Sequence, residues 1–200
     1  MTKIILITGG QRSGKSAYAE RLALQLSPHP VYMATAHIWD EEFRERIRRH
    51  QERRGPCWTN IEEERQLGRY DISGRVVLVD CLTLWCTNYF YSQENTKNPE
   101  CPESPDNPDS PECPDNPECP DSPDIDLILK EVCAEFDRLV SQDATFIFVT
   151  NEIGWGGVSV NALQRRFTDL LGWFNQHVAA RADTVILMVS GVPVGIKNER

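Results

Sequence analysis

The chain has 200 residues, a mass of 22.8 kDa, a net charge of −9 and 40% hydrophobic residues. That length suits one domain with at most an appendage, and no apolar run approaches the ~20 residues a membrane-crossing helix needs. The short run Ile4–Ile7, soon followed by Gly9-Gly10, does not read as a secretory signal, so a cytoplasmic location without stable membrane insertion is expected.

The charge is not spread evenly. Residues 94–126 carry eleven acids and a single base, Lys97, which leaves the rest of the chain close to neutral. The acidity therefore belongs to one segment and says nothing of what the remainder binds. No nucleic-acid partner is expected.

Taken in chain order, strand-like and helix-like patterns alternate. Lys3–Thr8 is a continuous aliphatic run, and Ser13–Leu26 follows it with a helical pattern. Val31–Ala34 is a second short strand, and Glu41–Arg54 is a highly charged helix. Val76–Asp80 is a third strand. Leu127–Val140 then places Ile128, Val132, Phe136 and Leu139 on one stripe, ahead of a strand at Thr145–Thr150. Val160–Ala180 does the same with Val160, Leu163, Phe167, Leu170, Phe174 and Val178, and Thr184–Ser190 is the last strand. Continuous rather than alternating apolar strands are those buried on both faces of a parallel sheet. With right-handed crossovers they predict a three-layer α/β domain with a mostly parallel sheet, spanning residues 1–200 with one interruption.

The interruption is the acidic segment at about 94–126. From Pro99 to Pro123 a proline falls at every third position, each followed by Glu or Asp. A period of three matches polyproline II, while missing backbone donors, like charges and scarce apolar side chains exclude a core. The segment reads as a solvated, semi-rigid loop; docking of a P-x-x-P type is disfavoured by its acidic flanks. Of the seven cysteines, Cys101, Cys113 and Cys119 lie inside this repeat, and no C-x-x-C spacing suggests zinc. Reduced thiols are expected.

The strongest chemical signal is Gly9-Gly10-Gln11-Arg12-Ser13-Gly14-Lys15-Ser16, which satisfies G-x-x-x-x-G-K-[ST] between a strand and a helix. Such a loop aims consecutive backbone N–H groups and a helix N-terminus at phosphate oxygens. Lys15, read as a solvated loop charge, reaches the β- and γ-phosphates, and the Ser16 hydroxyl binds Mg²⁺. This makes the domain a P-loop, RecA-like one. Val76–Asp80 has the form of the strand that presents the second Mg²⁺-binding group, Asp80. Ala34-Thr35-Ala36 and Thr150-Asn151-Glu152 also follow strands, so they too belong at the carboxyl edge of the sheet, where ligands bind. No N-K-x-D tetrapeptide occurs, which disfavours a Ras-type switch.

Of the four histidines, His50 stands apart. On a helix it shares a face with Phe43, Ile47 and Arg54, flanked by Arg46 and Arg53. A solvated charged helix accounts for that spacing; a nucleophile or phosphate clamp in a cationic setting is the functional reading.

Gly9–Ser16, Ala34-Thr35, Arg46-Ile47-x-x-His50, Thr150-Asn151-Glu152-Ile153-Gly154-x-Gly156 and Val189-Ser190-Gly191 together resemble one family. It is the bifunctional adenosylcobinamide kinase / adenosylcobinamide-phosphate guanylyltransferase family of cobalamin biosynthesis, and the resemblance spares only residues 92–126. It implies phosphorylation of the aminopropanol hydroxyl of adenosylcobinamide by ATP or GTP. GMP transfer from GTP through a guanylyl-histidine then yields adenosylcobinamide-GDP and pyrophosphate. His50 matches the guanylylated histidine. Gly9–Ser16, Ala34–Ala36, Gln51, Glu52, Arg53, Arg54, Glu62 and Asp80 match the nucleotide contacts, with Asp80 in place of the usual Glu. Gly157 and Ser159 also depart from the family pattern. The resemblance further implies a homotrimer with an extra strand near the C-terminus, which Pro193–Lys197 would supply. Trp39, Trp58 and Trp155 are candidates for a corrinoid platform, though ordinary packing accounts for each. The alternatives are a monofunctional P-loop small-molecule kinase and a non-catalytic nucleotide-binding adaptor. Intact Lys15 and Ser16 argue against the adaptor, and His50 among its arginines argues against a kinase alone.

Overall fold

A computed structural model describes residues 1–37, 55–92 and 123–198. The predicted helix at Glu41–Arg54, with His50, Gln51, Glu52, Arg53 and Arg54, lies outside the described residues. So do Trp39 and the proline repeat up to residue 122.

The chain order is β1 (Lys3–Gly9), α1 (Lys15–Leu26), β2 (Val31–Ala34), β3 (Thr59–Glu62), β4 (Val76–Asp80), α2 (Leu82–Ser92), α3 (Ile125–Val140), β5 (Thr145–Val149), α4 (Ala162–Arg181), β6 (Thr184–Val189) and β7 (Val192–Lys197). Single 3-10 turns occupy Leu67–Arg69 and Gly154–Gly156. Among the described residues the strands form one sheet in the order β3-β2-β4-β5-β1-β6-β7. Every pairing is parallel except β6 with β7. Leu6 pairs with Phe148 and Val185, at the centre of the sheet.

The sheet is covered on both faces, as its continuous apolar strands require. On one face Ile5, Ile7, Leu78, Ile147 and Val149 pack on Ala19 and Ala23 of α1. On the other, Ile4, Leu6, Val77, Val79, Phe146 and Phe148 meet Trp85, Phe136, Leu170 and Phe174 of α2, α3 and α4. The predicted stripe Ile128, Val132, Phe136 and Leu139 is fully buried. Helix α3 begins earlier than its apolar stripe, because Asp124 caps it by accepting a hydrogen bond from the Leu127 N–H at 3.1 Å. Buried Pro123 precedes that cap, so the end of the acidic segment belongs to the domain. Helix α4 begins at Ala162, capped by Asn161, whose Oδ1 accepts from the Gln164 N–H at 2.8 Å. The predicted stripe therefore loses Val160, which is 95% exposed.

Candidate active site

All parallel strands end on the same side, and the residues after β1, β2, β3, β4 and β5 line one edge of the sheet. That edge holds Gly9–Ser16, Ala34–Ala36, Glu62, Asp80 and Thr150–Glu152.

The loop between β1 and α1 has the backbone that phosphate binding demands. Arg12 and Gly14 adopt left-handed conformations, with φ of 60° and 90°. Successive right- and left-handed residues turn N–H groups into one concavity. Gly9 has φ +147°, and a Cβ there would lie 2.5 Å from the Met188 carbonyl oxygen; only glycine fits. The loop is braced from β6–β7, whose two-residue turn Ser190-Gly191 has both φ values positive. The Gly191 N–H donates to the Ser13 carbonyl at 3.0 Å. Lys15 is not the solvated charge expected from sequence: it is 7% exposed. Its Nζ folds back to donate to the Gly10 carbonyl at 2.7 Å and lies 3.5 Å from Ser13 Oγ.

Asp80, at the end of β4, faces the α1 side of the sheet. Strand alternation puts it there with Leu78, and Tyr32, from the α1-side core, donates its hydroxyl to Asp80 Oδ2 at 3.0 Å. Ser16 stands in the first turn of α1 on the same side, and both are partly exposed. A hydroxyl and a carboxylate suit Mg²⁺, a hard cation. Among the described residues no cluster of three His, Cys, Asp or Glu could hold a metal alone. An ion at Ser16 and Asp80 would thus complete its shell with nucleotide phosphates and water, the usual habit of Mg²⁺.

Ala34–Ala36 is anchored to this edge by Thr35. The fully buried Thr35 hydroxyl donates to the Cys81 carbonyl at 2.8 Å and accepts from the Cys81 N–H at 3.0 Å. Asn88 Nδ2 donates to the Thr35 carbonyl at 2.7 Å and the Glu64 carbonyl at 2.8 Å. The Thr35 side chain is thereby committed to structure. Burial, with the Asp80 charge beside it, pushes the Cys81 thiol up to about 12, so it stays neutral. Glu62 ends the edge strand β3 and is exposed. Trp58 is packing, edge-on to Tyr32 at 5.9 Å between ring centroids, whereas Trp155 is 68% exposed.

Sequence reasoning missed the residues that position others, namely Thr8, Thr83, Asn88 and Asn175. Asn88 and Asn175 carried a signal, since each is an amide set among large apolar side chains of a helix (Tyr89-Phe90 and Phe174). A buried polar group is informative where an exposed one is not.

Residues 5–196 match the model of the cobinamide kinase / cobinamide phosphate guanyltransferase family. The chain belongs to this family. It is 34% identical over 202 residues to the bifunctional adenosylcobalamin biosynthesis protein CobU of Escherichia coli, covering 97% of this chain and 99% of that one. Its identity to the bifunctional adenosylcobalamin biosynthesis protein CobP of Pseudomonas aeruginosa is 35%, covering 97% of each. Among solved structures, the flagellar accessory protein FlaH of Methanocaldococcus jannaschii is a remote likeness. Its TM-score is 0.44 at 14% identity, covering 98% of this chain and 79% of that one.

The departures of this cobinamide kinase family chain from the family pattern have local reasons. Gly157 has φ +96°, a conformation that disfavours the aliphatic residue usual there. Ser159 accepts from the Asn161 N–H at 3.2 Å and sits 2.8 Å from Gln164 Oε1, building the lead into α4.

Proposed function

We propose that the carboxyl edge of this sheet serves two consecutive reactions on one corrinoid acceptor. The chain is a bifunctional kinase and guanylyltransferase of cobalamin biosynthesis. Its first reaction phosphorylates the aminopropanol hydroxyl of adenosylcobinamide, and its second transfers GMP to that phosphate.

Residues Gly9–Ser16 hold the nucleotide's phosphates, and Lys15 exchanges the Gly10 carbonyl for β- and γ-phosphate oxygens as they arrive. Ser16 and Asp80 would hold Mg²⁺, which neutralises charge on the phosphates when bound. Backbone groups of Ala34–Ala36 and the carboxylate of Glu62 face the remainder of the nucleotide. His50 is assigned the nucleophile of the second reaction, with Arg53 and Arg54 offsetting charge on the departing pyrophosphate and Gln51 and Glu52 contacting GTP. The support for His50 is its arginine-rich sequence setting and the family match. The observation that carries the whole reading is the left-handed P-loop backbone ahead of α1, with Asp80 turned to the face of the sheet that α1 covers.

Among the described residues strand β7 exposes Val192, Val194 and Ile196 on an unpaired sheet edge, which supports pairing with another copy of the chain, as the proposed homotrimer requires. No described helix is long and apolar enough to cross a membrane, and a cytoplasmic enzyme without a nucleic-acid partner goes with this reading.

The test is a product assay. With adenosylcobinamide, GTP and Mg²⁺, chromatography should show the phosphate ester first and the GDP derivative next, with pyrophosphate released only in the second step. A reaction that stops at the phosphate ester would make the chain a monofunctional kinase.

A further inference from the structure

We infer that Glu152 is the general base of the phosphorylation step, taking the proton from the acceptor hydroxyl; this rests on the kinase activity proposed above. This carboxylate is firmly mounted. Thr8 Oγ1 donates to Glu152 Oε1 at 2.7 Å, and the Glu152 N–H donates to the carbonyl of Gly9, the first P-loop residue, at 3.2 Å. Its two predecessors are held as closely. The fully buried Thr150 hydroxyl donates to Asn175 Oδ1 at 2.7 Å, and Asn175 Nδ2 returns a bond to the Asn151 carbonyl at 3.2 Å. The Asn151 N–H donates to Thr83 Oγ1 at 3.0 Å. Strand β1, helix α2 and helix α4 thus each contribute to fixing a three-residue segment. A polar network set into an apolar layer stabilises little in itself but fixes geometry, which a proton acceptor needs.

Glu152 also occupies the side of the sheet opposite α1. Ile5 and Ile7 face α1, whereas Ile4 and Leu6 face α2, α3 and α4, so alternation turns Thr8 and its partner carboxylate toward the α4 side. Asp80 and Ser16 lie on the α1 side. Phosphoryl transfer requires the attacking and leaving oxygens in line across the γ-phosphorus. The leaving β-phosphate belongs with the P-loop, Ser16 and α1, so the acceptor enters from the opposite side, where Glu152 stands. The chain beyond Glu152 runs against α4, where a Cβ on Gly154 would lie 3.7 Å from Thr168, and it exposes Ile153, Trp155, Val158 and Val160, apolar surface suited to a large, partly apolar acceptor. Asp80, bonded to Tyr32 on the far side, and Glu62, at the sheet margin, are worse placed.

In the step itself the acceptor O–H bond breaks and its proton passes to a Glu152 carboxylate oxygen. The acceptor oxygen forms a bond to the γ-phosphorus. The bond from the γ-phosphorus to the β,γ-bridging oxygen breaks, and the nucleoside diphosphate leaves with that electron pair. The Thr8 hydroxyl keeps the carboxylate oriented throughout, which makes Thr8 a positioning residue.

The test is Glu152→Gln, which retains an oxygen able to accept from Thr8 and removes only the base. Phosphorylation of adenosylcobinamide should fall on the order of 100-fold or more in kcat. The Kd of a non-hydrolysable GTP analogue should stay within threefold, so that the loss falls on kcat and not on nucleotide binding. Glu152→Asp, a shorter base, should fall between the variant and wild type in kcat. Phosphorylation by Glu152→Gln within tenfold of wild type would overturn the proposal, as would an equal loss of analogue binding. A wild-type protein that never phosphorylates the acceptor would overturn this proposal together with the reading beneath it.

Discussion

Lys15 is the proposed phosphate-binding cation of the P-loop, and its resting position shapes what its removal should do. Folded against the Gly10 carbonyl, the ammonium occupies the loop that phosphates would fill. Lys15→Ala should leave phosphorylation undetectable and abolish the rise in melting temperature that Mg²⁺ and GTP produce in the wild type. Gly10 is exposed, so water replaces the lost donor and the fold loses about 1 kcal/mol, or roughly 2–4 °C in Tm. Calorimetry with and without nucleotide measures both effects; a ligand-induced shift equal to wild type would refute the P-loop assignment. Glycine and lysine at these spacings were legible because phosphate binding fixes both residue type and order. The residues that only orient others were not, since Thr8 and Thr83 are chemically ordinary until the fold sets them beside Glu152 and Asn151.

Among the elements, those with a clean pattern were readable and those set by context were not. Strand β3 reads Thr-Asn-Ile-Glu, too polar to signal a strand, and forms because β2 offers it a free edge. Helix α2 was harder to read for a different reason: Leu82, Trp85, Cys86, Tyr89 and Phe90 form one buried stripe, but Leu84 and Tyr91 off it are also apolar and no charged residue in 82–92 marks an exposed face. The proline repeat is flanked by the end of α2 at Ser92 and by buried Pro123 with the Asp124 cap. Removing residues 99–120 and bridging the gap with a short Gly/Ser linker should therefore keep activity and shift Tm by less than ~2 °C. Loop closure changes by only ~0.6 kcal/mol per doubling of length. A large fall in Tm or solubility would show that the repeat packs on the domain. A deletion carried through Asp124 should be worse by ~0.5–2 kcal/mol, the worth of a helix cap.

On the scale of the whole molecule, the sheet order sets out the geometry proposed for the phosphorylation step. Strand β5 lies between β1 and β4, which sets Glu152 between the P-loop and Asp80 and lets the two faces of the sheet take separate tasks. In the proposed reading the α1 side gathers phosphate and cation, and the acceptor approaches from the α4 side. The parallel architecture followed from the continuous apolar strands, but the strand order did not, because periodicity says what is buried and not beside what. The second reaction is proposed to depend on His50, in whose absence the first should survive. The direct measurement is incubation with α-labelled GTP and Mg²⁺, followed by denaturation and counting of label on the protein. The wild type should carry label that is released by acid and stable to base, as a phosphoramidate is, and His50→Ala should carry none while still phosphorylating adenosylcobinamide. Label on His50→Ala, or none on the wild type, would contradict the account.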